Sequence, residues 1–221
     1  MPSAVAKNYL MAYNAAQLCV WGLIAGKLSQ HFVTGGKLGE AYPAVKKLVL
    51  AGLSGAVLEI LHAKFKLVKS SVGTTTIQVL MRLYVIAGAV EIGSKEVPVS
   101  NWAGQMVCAW TASEIIRYAF YLQNLVSGGA SKSGLGKALT WLRYTAFIPL
   151  YPVGFTGEMG CFWTAIPFVK STGKWSITMP NTQNFSFSYA NWIYFLLFVV
   201  YPPGSWVMYS HMLSQRKKQL R

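Results

Sequence analysis

The chain has 221 residues, 53% of them hydrophobic and 12% charged, against about 25% charged in an ordinary soluble domain, and its mean hydropathy is +0.37. That balance excludes an ordinary soluble globular domain and predicts one integral membrane domain covering residues 1–221. The net charge of +14 does not indicate nucleic acid, because the basic residues flank apolar runs instead of forming one stripe interleaved with stacking aromatics; membrane lipid headgroups, or the phosphates of a soluble arm, are the expected partners.

Six apolar runs approach the roughly 20 residues that cross a bilayer as a helix: 9–26, 42–61, 72–92, 102–126, 144–169 and 189–213. They are continuous and too long for barrel strands, so the expected fold class is all-α, a bundle of six transmembrane helices. The first run carries Asn14 and Gln17, three residues apart and so on one face, which should point inward. After a loop at 31–40, the second run closes on Glu59 and His62, and a basic link at 64–71 leads to the third, with Gln78 and Arg82. Gly, Pro, Ser and Asn mark the next loop, 93–101. The fourth run holds Glu114 and Arg117, followed by the Gly- and Ser-rich loop 127–136. The fifth is the segment YTAFIPLYPVGFTGEMGCFWTAIPFV, and a loop at 171–184 separates it from the sixth.

With six spans, the N-terminus, second loop, fourth loop and C-terminus share one side, which carries eleven basic residues against seven on the other. Lys and Arg favour the cytoplasmic face, so both termini are expected in the cytosol. The tail RKKQLR suits lipid headgroups or a retrieval signal. Cys19, Cys108 and Cys161 are odd in number and lie within spans, so they read as packing residues. His31, His62 and His211 are far apart without ligand spacing, and neither a GxSxG motif nor a phosphate loop occurs; no metal is expected.

What remains is polar chemistry inside apolar helices. Charges there are costly, so each marks either a paired structural group or a functional site. The pairs Glu59 with His62, Gln78 with Arg82, and Glu114 with Arg117 are spaced to share helical faces, and Arg82, Glu114 and Arg117 read as a supporting polar network. In the fifth span Tyr151 and Glu158 are two turns apart, roughly 10 Å along a regular helix. Glu158 is one of six acidic residues in a chain without aspartate. Pro149, Pro152 and Pro167 should disturb that helix, while Gly154 and Gly157 allow a backbone or a substrate to come close. Two readings stand on these residues: a reactive pair, or a packing kink whose carboxylate pairs with Arg82 or Arg117.

The stretches YLMAYNAAQ (9–17), LEILH (58–62), TTIQVLMR (75–82), WTASEIIRYAFY (110–121) and LRYTAFIPLYPVGFTGE (142–158) resemble the membrane 3-hydroxyacyl-CoA dehydratases of very-long-chain fatty acid elongation, a family once labelled protein tyrosine phosphatase-like. The specific elements are ExIRYxFY followed by YPxGxxxE. The chain departs from the family after LEILH, where HAKFKLV replaces a glycine-containing turn. A phosphatase is excluded chemically, because no cysteine precedes an arginine by six positions; Cys161 meets Pro167. The resemblance implies six helices in the endoplasmic reticulum membrane, with Tyr151 and Glu158 as the catalytic residues.

The chemistry it implies converts a long-chain (3R)-3-hydroxyacyl-CoA to the trans-2-enoyl-CoA, the third step of the elongation cycle. A base removes the C2 proton and an acid protonates the departing C3 hydroxyl, with no cofactor, CoA being part of the substrate. Glu158 is expected as base and Tyr151 as donor, with the reverse assignment open. Lys132, Lys137 and Arg143 are the expected contacts of the CoA phosphates, with Lys64, Lys66 and Lys69 as alternatives. The condensing enzyme, ketoacyl-CoA reductase and enoyl-CoA reductase of elongation are expected partners. The competing readings are a non-catalytic scaffold of that machinery and a small lipid or proton-coupled transporter, with Glu158 as its coupling site.

Overall fold

The structure, a computed structural model, describes residues 4–128, 133–182 and 184–220. Among these residues the regular structure is helical, apart from one antiparallel bridge between Ile177 and Phe187. In chain order the helices are α1 (Ala4–Val33), α2 (Ala41–Ala56), α3 (Leu58–Lys64), α4 (Val72–Val85), α5 (Asn101–Val126), α6 (Gly134–Thr145), α7 (Phe147–Thr172), α8 (Tyr189–Phe195) and α9 (Tyr201–Gln219). A single wide turn of π-helix, Ile86–Val90, extends α4, and a second, Leu196–Val200, joins α8 to α9.

The six expected runs thus reappear as helices, with boundaries moved for local reasons. Ser100 caps α5 by accepting from the Ala103 N–H at 3.2 Å, and Ser133 caps α6 from the Gly136 N–H at 3.1 Å. The second cap starts a helix inside the stretch expected as loop. The fifth run begins within α6 and continues in α7 after a break at Ala146. Pro149 accounts for that break: it has no N–H for the Thr145 carbonyl, and its ring crowds that carbonyl. Pro202 and Pro203 likewise open α9 directly after the Leu196–Val200 π-turn, whose wider bore relaxes the carbonyls that prolines leave without donors. In the link after α3, Lys66 takes φ +55, the left-handed conformation that a glycine would adopt without strain.

α5 is the central helix, packed between α1 on one side and α7 on the other. Trp21 and Ile24 of α1, Met106 and Val107 of α5, and Cys161 and Phe162 of α7 lie in one buried cluster. The inward face expected of α1 is present: Asn14 and Gln17 are buried, and the Gln17 side-chain amide donates to the Gly52 carbonyl at 3.1 Å, tying α1 to α2. Cys161 is buried and Cys108 half-buried, whereas Cys19 is exposed. Large apolar side chains also cover the outside, including Ile77, Trp163, Phe198 and Trp206. Two helical segments, Val72–Val90 and Tyr189–Gln219, are long and apolar enough to cross a membrane by length and composition.

Candidate active site

The site is built on one face of α7. At 100° per residue, Phe147, Tyr151, Phe155 and Glu158 fall along a single stripe. Tyr151 is half-buried, and its ring stacks on Phe155 with centroids 6.0 Å apart. Across from this stripe stands α9: Tyr209 packs against Phe147 at 5.7 Å and against Tyr151 at 5.9 Å, and Tyr201 packs against Phe155 at 5.4 Å. The result is a ring-filled cleft between α7 and α9, its aromatic side chains packed on one another, with Glu158 at one end.

Glu158 is half-buried and its carboxylate is held by two neutral donors. The indole N–H of Trp110 on α5 donates to Oε1 at 2.9 Å, and the phenol of Tyr201 donates to Oε2 at 3.5 Å. The arginines that sequence reasoning offered as its ion-pair partners are engaged elsewhere. Arg82 pairs with Glu114, which is almost fully buried, through Nη1 and Oε1. Arg117 pairs with the same carboxylate at 2.6 Å and with Glu59 through two nitrogens at 2.7 and 2.9 Å. The packing-kink reading, with Glu158 neutralised by Arg82 or Arg117, therefore does not describe this arrangement.

Arg82, Glu114 and Arg117 do come together as the polar network expected, with Glu59 as a fourth member. Tyr118 and Tyr13 donate to Glu59 at 2.6 and 3.1 Å, so its oxygens are satisfied despite their depth. The network reaches the site through Trp110, over whose ring the Arg82 guanidinium lies, 5.2 Å from the centroid. His62, on the same face of α3 as Glu59, bonds the Tyr9 hydroxyl at 2.9 Å. Gln78 is exposed.

The glycines of α7 have a definite use. A Cβ on Gly157 would stand 2.9 Å from the Met106 backbone nitrogen, and one on Gly154 would meet the Ala109 Cβ at 3.5 Å. The α5 backbone at Gly157 and the Ala109 side chain at Gly154 take up the space, and this close approach brings Trp110 within reach of Glu158.

Of the residues expected to meet phosphates, Lys132 lies outside the described residues. Lys137 is exposed on α6. Arg143 is half-buried, its guanidinium 5.9 Å from the ring centroid of Tyr121. Lys64, Lys66 and Lys69 are exposed. Sequence reasoning missed Trp110, Tyr201 and Tyr209. Trp110 had a signal, since it precedes Glu114 by one helical turn. The two tyrosines had none, because nothing in a sequence pairs the sixth run with the fifth.

The profile of the family described as protein tyrosine phosphatase-like protein, PTPLA, matches residues 53–221. Among curated proteins, the chain is 38% identical to the mouse very-long-chain (3R)-3-hydroxyacyl-CoA dehydratase 2, over 99% of this chain and 83% of the mouse protein. It is 36% identical to the rice dehydratase PASTICCINO 2B, over 99% of this chain and 95% of the rice protein, and 34% identical to the dog dehydratase 1, over 98% and 84% of the two chains. No solved structure matches it.

Proposed function

The chain belongs to the protein tyrosine phosphatase-like protein family, PTPLA, and we propose that it dehydrates long-chain (3R)-3-hydroxyacyl-CoA to trans-2-enoyl-CoA within the fatty acid elongation cycle. The observation that carries this reading is the Glu158 carboxylate: it lies on the aromatic stripe of α7, is oriented by Trp110 and Tyr201, and makes no ion pair among the described residues. A base must be able to take up a proton, and a carboxylate locked to an arginine would resist doing so.

Glu158 removes the C2 proton, which the adjacent thioester carbonyl acidifies. Negative charge then builds on the carbonyl oxygen, where a phenol of the cleft can donate to it. As the C3–O bond breaks, Tyr151 gives its proton to the departing hydroxide, so that water leaves and the C2–C3 double bond forms. The proton taken by Glu158 returns through solvent to the tyrosinate. Atoms and charge balance without a redox or metal cofactor. Tyr151 and Glu158 are roughly 10 Å apart along α7 with the Phe155 ring between them, so that ring must turn aside for the reacting carbons to reach both side chains.

The setting is one multi-pass domain over residues 1–221, six helices in the endoplasmic reticulum membrane with both termini cytosolic. The basic excess on the terminal side and the apolar exterior support this reading. Lys137 and Arg143 lie on the side from which a CoA group would enter. The condensing enzyme and the ketoacyl-CoA and enoyl-CoA reductases of elongation would be its neighbours, handing over the hydroxyacyl thioester and receiving the enoyl product.

The test is conversion of a long-chain 3-hydroxyacyl-CoA by the purified chain in detergent. Enoyl product is expected from the wild type, with none detectable from Glu158→Gln or Tyr151→Phe. A wild type that forms no product, or variants as active as the wild type, would rule the assignment out.

A further inference from the structure

Ion pairing among the described residues leaves two half-buried arginines over. Lys46 is matched by Glu91, Arg82 by Glu114, and Arg117 by Glu59 and Glu114. Arg143 and Arg216 are half-buried yet have no carboxylate partner among the described residues. Each is held in place by a neutral neighbour: Arg143 by the Tyr121 ring, and Arg216 by the hydroxyl of Thr145, which accepts from its Nε at 3.3 Å. Because Arg216 is tethered through Nε alone, both terminal nitrogens of its guanidinium remain available as donors.

Their placement relative to the cleft is not arbitrary. Arg216 lies seven residues beyond Tyr209 on α9, two turns along the same face and about 10 Å further toward the C-terminal end. Arg143 precedes Tyr151 by eight residues, across the break at Ala146, and lies two residues before Thr145, whose hydroxyl holds Arg216. Phe147, between them, packs on Tyr209. Arg216 therefore stands at one end of the aromatic cleft, with Arg143 close by on its α5 side, and Glu158 with Tyr201 lies at the other end. An anion recognised by the Arg216 guanidinium would sit about 10 Å or more from Tyr151, at one end of a flexible arm whose far end reaches Tyr151 and Glu158.

We propose that Arg216 and Arg143 form the phosphate subsite of the acyl-CoA thioester, with Arg216 as its principal contact. This rests on the dehydratase reading above and moves the expected phosphate contacts from the fourth loop to the junction of α6 and α9. A guanidinium binds phosphate through paired N–H donors and carries its charge at any physiological pH, which suits it to hold a diphosphate at a wet cleft mouth. The arm between phosphate and sulfur is the phosphopantetheine chain, which threads past Tyr209 to bring the thioester to Tyr151. The phosphate of a lipid headgroup offers the same chemistry, and the experiment separates the two sources.

The full chain, purified in uncharged detergent, is given one 3-hydroxyacyl group in two forms: the CoA thioester and the pantetheine thioester, which has no phosphate. For Arg216→Ala, the ratio of kcat/KM on the CoA thioester to that on the pantetheine thioester should fall about tenfold from the wild-type ratio, the loss expected for one charge-assisted contact. The fall should sit in KM, and Arg143→Ala should lower the ratio less. Activity on the pantetheine thioester reports that the variant is folded. An unchanged ratio overturns the proposal. So does a variant that only loses retained anionic phospholipid, because the subsite then serves lipid. If the wild type forms no enoyl product from either thioester, the dehydratase reading fails by itself, and equilibrium binding of free CoA still decides the subsite: about tenfold weaker binding to Arg216→Ala supports it, and equal binding refutes it.

Discussion

Replacing Trp110 by Phe removes one N–H from the candidate site and leaves an aromatic ring in its place. The indole donates to Glu158 Oε1 at 2.9 Å, whereas the Tyr201 phenol reaches Oε2 at 3.5 Å, the outer limit of a hydrogen bond. A hydrogen bond to a charged acceptor is worth about 1.5–3 kcal/mol, so Trp110→Phe should lower kcat/KM for dehydration about 10- to 150-fold by letting the carboxylate swing from the C2 proton. Tyr201→Phe loses a contact worth less than about 1 kcal/mol and should cost no more than about fivefold. Trp110 is buried and supports the Arg82 guanidinium, so part of any loss could be structural. Thermal unfolding in detergent measures that part, and steady-state kinetics well below the unfolding range measures the rest. A Trp110→Phe enzyme within twofold of wild type, or a Tyr201→Phe enzyme more damaged than Trp110→Phe, would refute the idea that the indole aims the base.

Gly157→Ala should destabilise the chain by about 1–3 kcal/mol, because its methyl would press on the Met106 backbone, while Gly154→Ala should be neutral or slightly stabilising; unfolding midpoints of the two variants check the contrast. Glu114→Gln should cost about 3–5 kcal/mol, since it strands Arg82 and Arg117 at depth. Glu91→Gln, at the half-exposed pair with Lys46, should cost less than about 1 kcal/mol, which the same denaturation assay resolves. Tyr209→Ala should raise KM for the acyl-CoA more than it lowers kcat, because its ring lines the cleft without touching Glu158.

Much of the fold was legible because apolar runs and breakers report directly on helices. Each expected run is helical, though the second, fifth and sixth are each divided between two helices. The candidate pair was legible for the same reason that made it costly: a carboxylate and a phenol at i and i+7 in an apolar helix share a face whatever the helix packs against. The partners of Glu158 were not. An arginine was a natural guess for a buried carboxylate, and two were available in neighbouring spans. Which arginine meets which glutamate depends on helix rotation and depth, and these put Arg117 between Glu59 and Glu114. The link at Lys66 looked aberrant as text, yet it is a left-handed turn made by a residue other than glycine.

The sequence by itself determined the helical class, the positions of the runs and the stripe on α7, because hydrophobic burial and backbone hydrogen bonding are settled within each segment. Tertiary structure alone decided that Trp110 and Tyr201 hold the carboxylate, that Tyr209 closes the cleft and that Arg216 stands at its mouth. These contacts join residues 43 to 71 positions apart in the chain. They exist only because glycines let α7 lie close against α5 and because a π-turn followed by paired prolines resets the rotation of α9, geometry that no single helix contains.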